Sequence, residues 1–118
     1  MAERIGQFFA ELDRRGAGLL PDKYTGTVLL ELTQDDVVER WTLVIDRGRV
    51  EVRRDDVEPD CLIRSPRDAF ARLLAGRQGV FAAVWRNELS VEGDIALLLG
   101  PVRDLMTRVR RGGSDGGP

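Results

Sequence analysis

The chain has 118 residues, which is the length of one ordinary domain and leaves room for a single hydrophobic core. Its 42% hydrophobic and 32% charged residues are typical of a globular protein, and a net charge of −2 gives no electrostatic reason to bind nucleic acid. Apolar runs stay well short of the roughly 20 residues that a membrane-spanning helix needs, and the N-terminal residues lack a signal-peptide pattern, so we expect a cytoplasmic protein.

The first half predicts one helix followed by three strands. An apolar face with helical spacing predicts a helix over about 3–15, which Gly16 and Gly18 are expected to end. The residues of that face are Ile5, Phe8, Phe9 and Leu12. From 24 to 53 the apolar residues alternate with polar ones, which predicts strands joined by turns at 34–36 and 46–49. In the second turn, Gly48 is free to adopt a positive φ. Short connections between consecutive strands predict an antiparallel meander.

The second half predicts two further strands and three helical stretches. Cys61 and Ile63 share one face of a short fourth strand, and Ser65 is expected to cap the helix that follows, with Pro66 as its first residue. The apolar faces of that helix and of the next short one are Phe70, Leu73 and Leu74, then Val80, Phe81, Val84 and Trp85. Residues 88–92 predict a fifth strand, and Asp94 is expected to cap the last helix.

The last helical region carries a Gly100-Pro101 interruption, which predicts either a kink or the start of a new helix. Residues 112–118 have the composition of a disordered tail, so the domain is expected to span 1–111. The element order predicts an α+β fold: a five-stranded, mostly antiparallel sheet with helices packed on one face.

The residue types leave little catalytic chemistry. The chain has one cysteine and no histidine, which excludes a Ser-His-Asp triad and a histidine-ligated metal site. Cys61 is expected to be a small buried hydrophobe, and Glu92 to face solvent. We therefore expect no enzyme activity, no metal and no cofactor, although carboxylate chemistry at Glu92 and Asp94 stays formally open.

The helices carry more large apolar residues than one sheet face obviously needs. Three interpretations stay open on periodicity alone: an ordinary core, a cavity for an apolar ligand, and an interface with a partner.

Three motifs in the second half occur in a recognisable order. They are the run Pro59–Ser65, the spacing of Phe70, Leu73 and Gly76, and the run Leu89–Asp94 before an apolar helix. In this order they resemble the sterol carrier protein type 2 family of lipid-binding domains, and the resemblance extends over about residues 5–109. Asn87 departs from the glycine that the family usually has before its fifth strand.

The resemblance implies a hydrophobic tunnel between sheet and helices that holds an apolar molecule without catalysis: a fatty acid, acyl-CoA, sterol-like molecule or phospholipid. Carried over by position, its lining is Phe70, Leu73, Leu74, Phe81, Trp85, Leu98, Val102, Leu105 and Met106. A bacterial, cytoplasmic, stand-alone member is the simplest interpretation.

Two further kinds of partner stay open. The alternative to a lipid carrier is a protein-interaction or dimerisation module, which would pair two chains or dock a partner enzyme. A basic cluster near the C-terminus, Arg108, Arg110 and Arg111, is explained either as a solvated helix end or as a transient contact with a membrane surface.

Overall fold

The computed structural model describes residues 4–15, 19–55 and 57–114, with side chains described as far as residue 108. Its elements in chain order are α1 (Arg4–Arg15), β1 (Gly26–Gln34), β2 (Val37–Asp46), β3 (Arg49–Arg53), β4 (Cys61–Pro66), α2 (Arg67–Leu74), α3 (Val80–Trp85), β5 (Ser90–Gly93), a π-helical turn (Leu98–Val102) and α4 (Arg103–Ser114). Within these ranges, no helix combines the length and apolar character needed to cross a bilayer.

The five strands form one sheet in the order β3-β2-β1-β4-β5. The pairs β1–β2, β2–β3 and β4–β5 are antiparallel, and β1 runs parallel to β4. The predicted α+β class and mostly antiparallel sheet are confirmed. The parallel pair arises because the chain leaves the sheet at the edge strand β3 and re-enters it as β4 on the other side of β1.

Alternation along the strands gives the sheet one apolar face, here called the helix-side face. Its buried residues are Val28, Leu30, Leu32, Leu43, Ile45, Val50, Cys61 and Ile63. Leu30 is central, since it pairs with Trp41 on one side and with Ile63 on the other. The opposite face, here called the open face, carries charged residues such as Glu31, Arg40 and Arg64.

Helix α1 forms where the 3–15 pattern predicts it, and its four apolar residues are all buried. The Phe9 ring stacks on the indole of Trp41 at 4.1 Å between ring centroids. The guanidinium of Arg54 lies 4.2 Å from the Trp41 ring, and the indole N–H donates to Glu39. These contacts fix α1 against the helix-side face of β2. The expected helix end at Gly16 and Gly18 lies outside the described residues.

The predicted capping role of Ser65 is wrong. Strand β4 continues through Pro66, with Ser65 paired to Leu32 of β1 and buried on the helix-side face. Its hydroxyl donates to the Pro66 carbonyl rather than accepting from the first turn of α2, which begins at Arg67. Pairing with β1 competes with helix capping, because the strand ladder between β1 and β4 holds Ser65 in an extended conformation.

The Gly100-Pro101 interruption neither ends the helix nor starts a new one. The backbone passes through the π-helical turn Leu98–Val102 and continues directly into α4. Proline has no N–H and clashes with the carbonyl of a regular preceding turn, and the wider turn accommodates it. A Cβ on Gly100 would lie 2.9 Å from Cε1 of Tyr24, so this turn packs closely against the segment before β1.

At the C-terminal end, α4 reaches Ser114 and so includes 112–114 of the segment predicted as a tail. Residues 115–118 lie outside the described residues. In the basic cluster, Arg108 pairs with Asp104 at 3.0 Å, and the side chains of Arg110 and Arg111 are not among those described.

We expect Gly48→Ala to destabilise the fold by about 2 kcal/mol or more. Gly48 has φ +83°, as the turn pattern predicts, and a Cβ there would lie 2.3 Å from the backbone oxygen of Leu20. Gly79→Ala is the matched control, because a Cβ at Gly79 has nothing within 4 Å, and should cost less than about 1 kcal/mol. Urea unfolding checks both, and equal losses would contradict the expectation.

The open face predicts a pH-dependent contribution to stability. Glu31 accepts from Arg64 and Arg40, both at 2.9 Å, and these hydrogen bonds hold its carboxyl pKa below the ordinary value. A lowered folded-state pKa means that the contribution is complete above the unfolded-state pKa and is lost as pH falls through the folded-state pKa. The difference in free energy of unfolding between the unaltered protein and Glu31→Gln should therefore be largest near pH 7 and shrink below about pH 4. Thermal unfolding between pH 7 and pH 3 measures it, and a gap independent of pH would contradict this assignment.

Candidate functional site

The apolar faces of α2, the π-helical turn and α4 meet over the helix-side face of the sheet. Seven of the nine predicted tunnel residues lie together here, in one hydrophobic cluster with the strands. They are Phe70, Leu73, Leu74, Leu98, Val102, Leu105 and Met106, none more than 5% exposed. We call this set the apolar layer. Since so little of its surface is exposed, the layer is closed to water in this structure.

The other two predicted tunnel residues lie on the surface: Phe81 is 62% exposed and Trp85 is 87% exposed. They belong to the six-residue helix α3, which instead buries Val80 and Ala83. A helix turns about 100° per residue, so burying Val80 and Ala83 directs Phe81 and Trp85 away from the sheet. A ligand-binding role for any of the nine remains a prediction.

A groove adjoins the apolar layer between the end of α2, the segment that leads into α3, and α4. Its volume is about 310 Å³. The lining comprises Leu73, Gly76, Gln78, Gly79, Val80, Arg103, Met106 and Thr107. We call it the helix groove. Its size is at the lower end of the roughly 300–1,000 Å³ that small-molecule sites occupy.

The lining of the helix groove joins predicted and unpredicted residues. Leu73 and Met106 were predicted from the resemblance, whereas Gln78, Arg103 and Thr107 were not. Polar residues in a loop or on the outer side of an amphipathic helix carry no periodic signal that separates groove from solvent. The sequence signal that could have found this groove is the pair of nearby glycines, Gly76 and Gly79, because residues without side chains leave space beside the backbone.

A polar network fixes the loop beside the groove. Gln78 donates to Glu88 at 2.9 Å and accepts from Arg86 at 3.3 Å, and Arg72 pairs with Glu88 at 3.2 Å. The hydrogen bond from Gln78, followed by that from Arg72, lowers the pKa of the Glu88 carboxyl. The network therefore ties the loop to α2 and to the segment after α3.

A second groove of about 560 Å³ lies on the open face and is larger than the helix groove. Its lining is Leu29, Val38, Arg40, Thr42, Arg54, Asp55, Val57 and Glu58. We call it the sheet groove. Half of these residues are charged, and none belongs to the apolar layer. The helix groove is the better candidate for an apolar ligand, because Leu73 and Met106 connect it directly to that layer.

The remaining reactive groups have structural roles. Cys61 is 1% exposed, and burial, with the Asp94 and Asp60 carboxylates nearby, raises the pKa of its thiol. Asp94 accepts from the Ala96 N–H and so caps the last helical region as predicted, and Glu92 pairs with Arg64. Among the described residues, no cluster of acidic and thiol side chains could hold a metal ion.

We expect Cys61 to react slowly with a disulfide reagent in the folded protein at pH 7–8. Burial blocks access, and a raised pKa leaves less thiolate at any given pH. In denaturant the same thiol should react at the rate of a free cysteine. Timed absorbance with Ellman's reagent checks this, and equally fast reaction in both states would show that Cys61 is accessible.

Solved structures of low sequence identity share this fold. The sterol carrier protein-2 of Aedes aegypti in complex with the C16 fatty acid palmitate has a TM-score of 0.71 and 16% identity, over 92% of this chain and 98% of that one. Domain 2 of the sterol carrier protein of Helicoverpa armigera has a TM-score of 0.72 and 14% identity, over 92% and 89%. The apo form of Yarrowia lipolytica sterol carrier protein 2 has a TM-score of 0.63 and 16% identity, over 91% and 85%.

Among curated proteins, no sequence matches this chain. The family model described as the SCP-2 sterol transfer family matches residues 9–100, which is most of the chain and spans β1 to β5. This match confirms the resemblance seen in the sequence motifs, and the chain belongs to the SCP-2 sterol transfer family.

Proposed function

We propose that this protein binds or transfers a long-chain apolar ligand without catalysis, and that the ligand chain occupies the apolar layer. Candidate ligands are a fatty acid, acyl-CoA, a sterol-like molecule or a phospholipid. The observation that carries the proposal is the continuity of the apolar layer with the helix groove through Leu73 and Met106. Family membership and the palmitate bound to the Aedes aegypti protein support it.

Binding requires the closed layer to open. Each buried methylene contributes about 0.8 kcal/mol, so ten of them contribute roughly 8 kcal/mol. Local opening of a weakly held element costs only part of the global free energy of unfolding. Burial of a ligand chain of about ten methylenes therefore offsets the cost of opening the layer. Helix α3 is the element that opens most easily, because only Val80 and Ala83 of its six residues are buried.

The polar side of the helix groove suits an acidic head group. Arg103 is exposed, lines the groove and lies with its guanidinium 5.8 Å from the Phe81 ring centroid. A guanidinium binds a carboxylate or phosphate through two parallel hydrogen bonds. We propose that the ligand's head group stays at Arg103 while its apolar chain enters the layer past Met106.

A non-catalytic role agrees with the side chains available. Cys61 is buried as a neutral thiol, and Glu92 and Asp94 are engaged in an ion pair and a helix cap. The chain has no histidine to act as a base near neutral pH. A cytoplasmic location remains a prediction from the sequence.

We expect Met106→Trp to weaken the binding of a fluorescent C16 fatty acid by about tenfold or more. The larger side chain fills the helix groove and displaces at least two ligand methylenes, worth roughly 1.6 kcal/mol. Val38→Trp is the matched control, since it places the same ring in the sheet groove. Fluorescence titration measures binding, native mass spectrometry counts the bound ligand, and thermal melting establishes that both variants are folded.

Two outcomes would overturn this proposal. If the unaltered protein neither carries nor takes up any lipid, it is not a lipid binder. If Val38→Trp weakens binding while Met106→Trp does not, the ligand lies on the open face and the assignment to the apolar layer is wrong.

A further inference from the structure

Helix α3 exposes a compact apolar surface, here called the α3 face. Phe81, Val84 and Trp85 are 62%, 41% and 87% exposed, and their i, i+3, i+4 spacing places them side by side. Single exposed apolar residues are ordinary, but a tryptophan and a phenylalanine adjacent on one short helix form a contiguous patch. Such a patch indicates a surface that binds something apolar.

The charges around the α3 face are predominantly positive. Arg77 lies three positions before α3 and Arg86 directly after it, and both are exposed; Arg86 donates to Gln78, and Arg103 lies over Phe81. Neighbouring carboxylates are already occupied: Glu88 pairs with Arg72, and Asp104 pairs with Arg108. Within the described part of the chain, Arg77, Arg86 and Arg103 form no ion pair. The protein as a whole carries a net charge of −2, so this positive region is local.

The α3 face also borders the candidate binding site. Arg103 contacts Phe81 on one side and lines the helix groove on the other. Val80 lines the groove from α3 itself. A flat partner that covers the α3 face would therefore cover the mouth of the groove as well.

We propose that the α3 face docks this protein onto an anionic phospholipid membrane. Trp85 and Phe81 enter the head-group region, where aromatic rings are stable, and the three arginines meet anionic phosphates. This docking rests on the proposed function for its purpose: it brings the helix groove to the source or acceptor of the ligand. The binding of the surface to the membrane needs no bound ligand.

The same features disfavour a second copy of the chain as the partner. In a two-fold dimer through the α3 face, each arginine would approach its own equivalent or another arginine. Like charges brought together in this way oppose association, whereas anionic lipid neutralises them.

Sedimentation with large unilamellar vesicles tests this docking. We expect the protein to bind vesicles of 70% phosphatidylcholine and 30% phosphatidylglycerol, to bind pure phosphatidylcholine more weakly, and to lose binding as salt rises from about 0.05 to 0.5 M, because salt screens the arginines. The double variant Phe81→Ser/Trp85→Ser should bind at least about tenfold more weakly. Val37→Ser/Val38→Ser is the matched control, because those valines are 65% and 44% exposed at the β1–β2 turn and should not contribute.

The charge requirement has its own variant. Arg77→Gln/Arg86→Gln keeps the α3 face apolar and should weaken the preference for phosphatidylglycerol, because only Arg103 of the three arginines remains, while weak binding to phosphatidylcholine persists. A blue shift of tryptophan emission on vesicle binding should disappear in Trp85→Phe, since Trp41 is stacked on Phe9 and does not move into lipid.

Three results would overturn the docking proposal: no binding to anionic vesicles, equal binding by the two double variants, or a concentration-dependent dimer that Phe81→Ser/Trp85→Ser abolishes. Fatty-acid uptake from lipid-free solution separates this inference from the proposed function. If the unaltered protein takes up fatty acid but ignores vesicles, only the docking surface is wrong; if it binds vesicles but takes up nothing, only the carrier function is wrong.

Discussion

The burial of one sheet face is the interaction on which the rest of this structure depends. Leu30 lies at its centre, and its cross-strand neighbours Trp41 and Ile63 extend the apolar surface toward both edges. Because strand side chains alternate, the same strands place Glu31 and its arginine partners on the open face. Helices can therefore pack on only one side, and any apolar ligand held between helix and sheet must share that side with the core.

The proposed function requires a packed core to make space for a ligand. Because the layer is closed in this structure, binding as proposed depends on which helix separates from the sheet at least cost. Helices α2 and α4 contribute large buried residues such as Phe70 and Leu105, whereas α3 contributes only Val80 and Ala83. The hydrogen bond between Gln78 and Glu88 joins the segments before and after α3, so α3 is held mainly through its flanking residues.

Sequence patterns predicted much of this fold, but they did not predict which strands are neighbours or which side of α3 is buried. Alternation identified which residues share a face, yet it cannot say which strands are neighbours, so the parallel pairing of β1 with β4 was not predicted. Helix α3 has the sequence VFAAVW, in which no polar residue marks the solvent side, and the predicted apolar face was wrong: of its four residues only Val80 is buried, together with Ala83. Position in the family resemblance assigned Phe81 and Trp85 to the tunnel, whereas close packing selected Val80 and Ala83.

That selection links the closed layer to the exposed aromatics. Phe70, Leu98 and Leu105 are buried in the layer, and α3 adds only Val80 and Ala83 to the same hydrophobic cluster, so an indole ring in place of either would overpack it. The packing that excludes water from the layer thus also leaves Trp85 on the outside. If a ligand widens the layer by displacing α3, as the proposed function requires, the aromatic face of α3 moves with it. On that proposal the ligand-free and ligand-bound forms present different apolar surfaces, and occupancy of the layer is coupled to affinity for a membrane through one short helix.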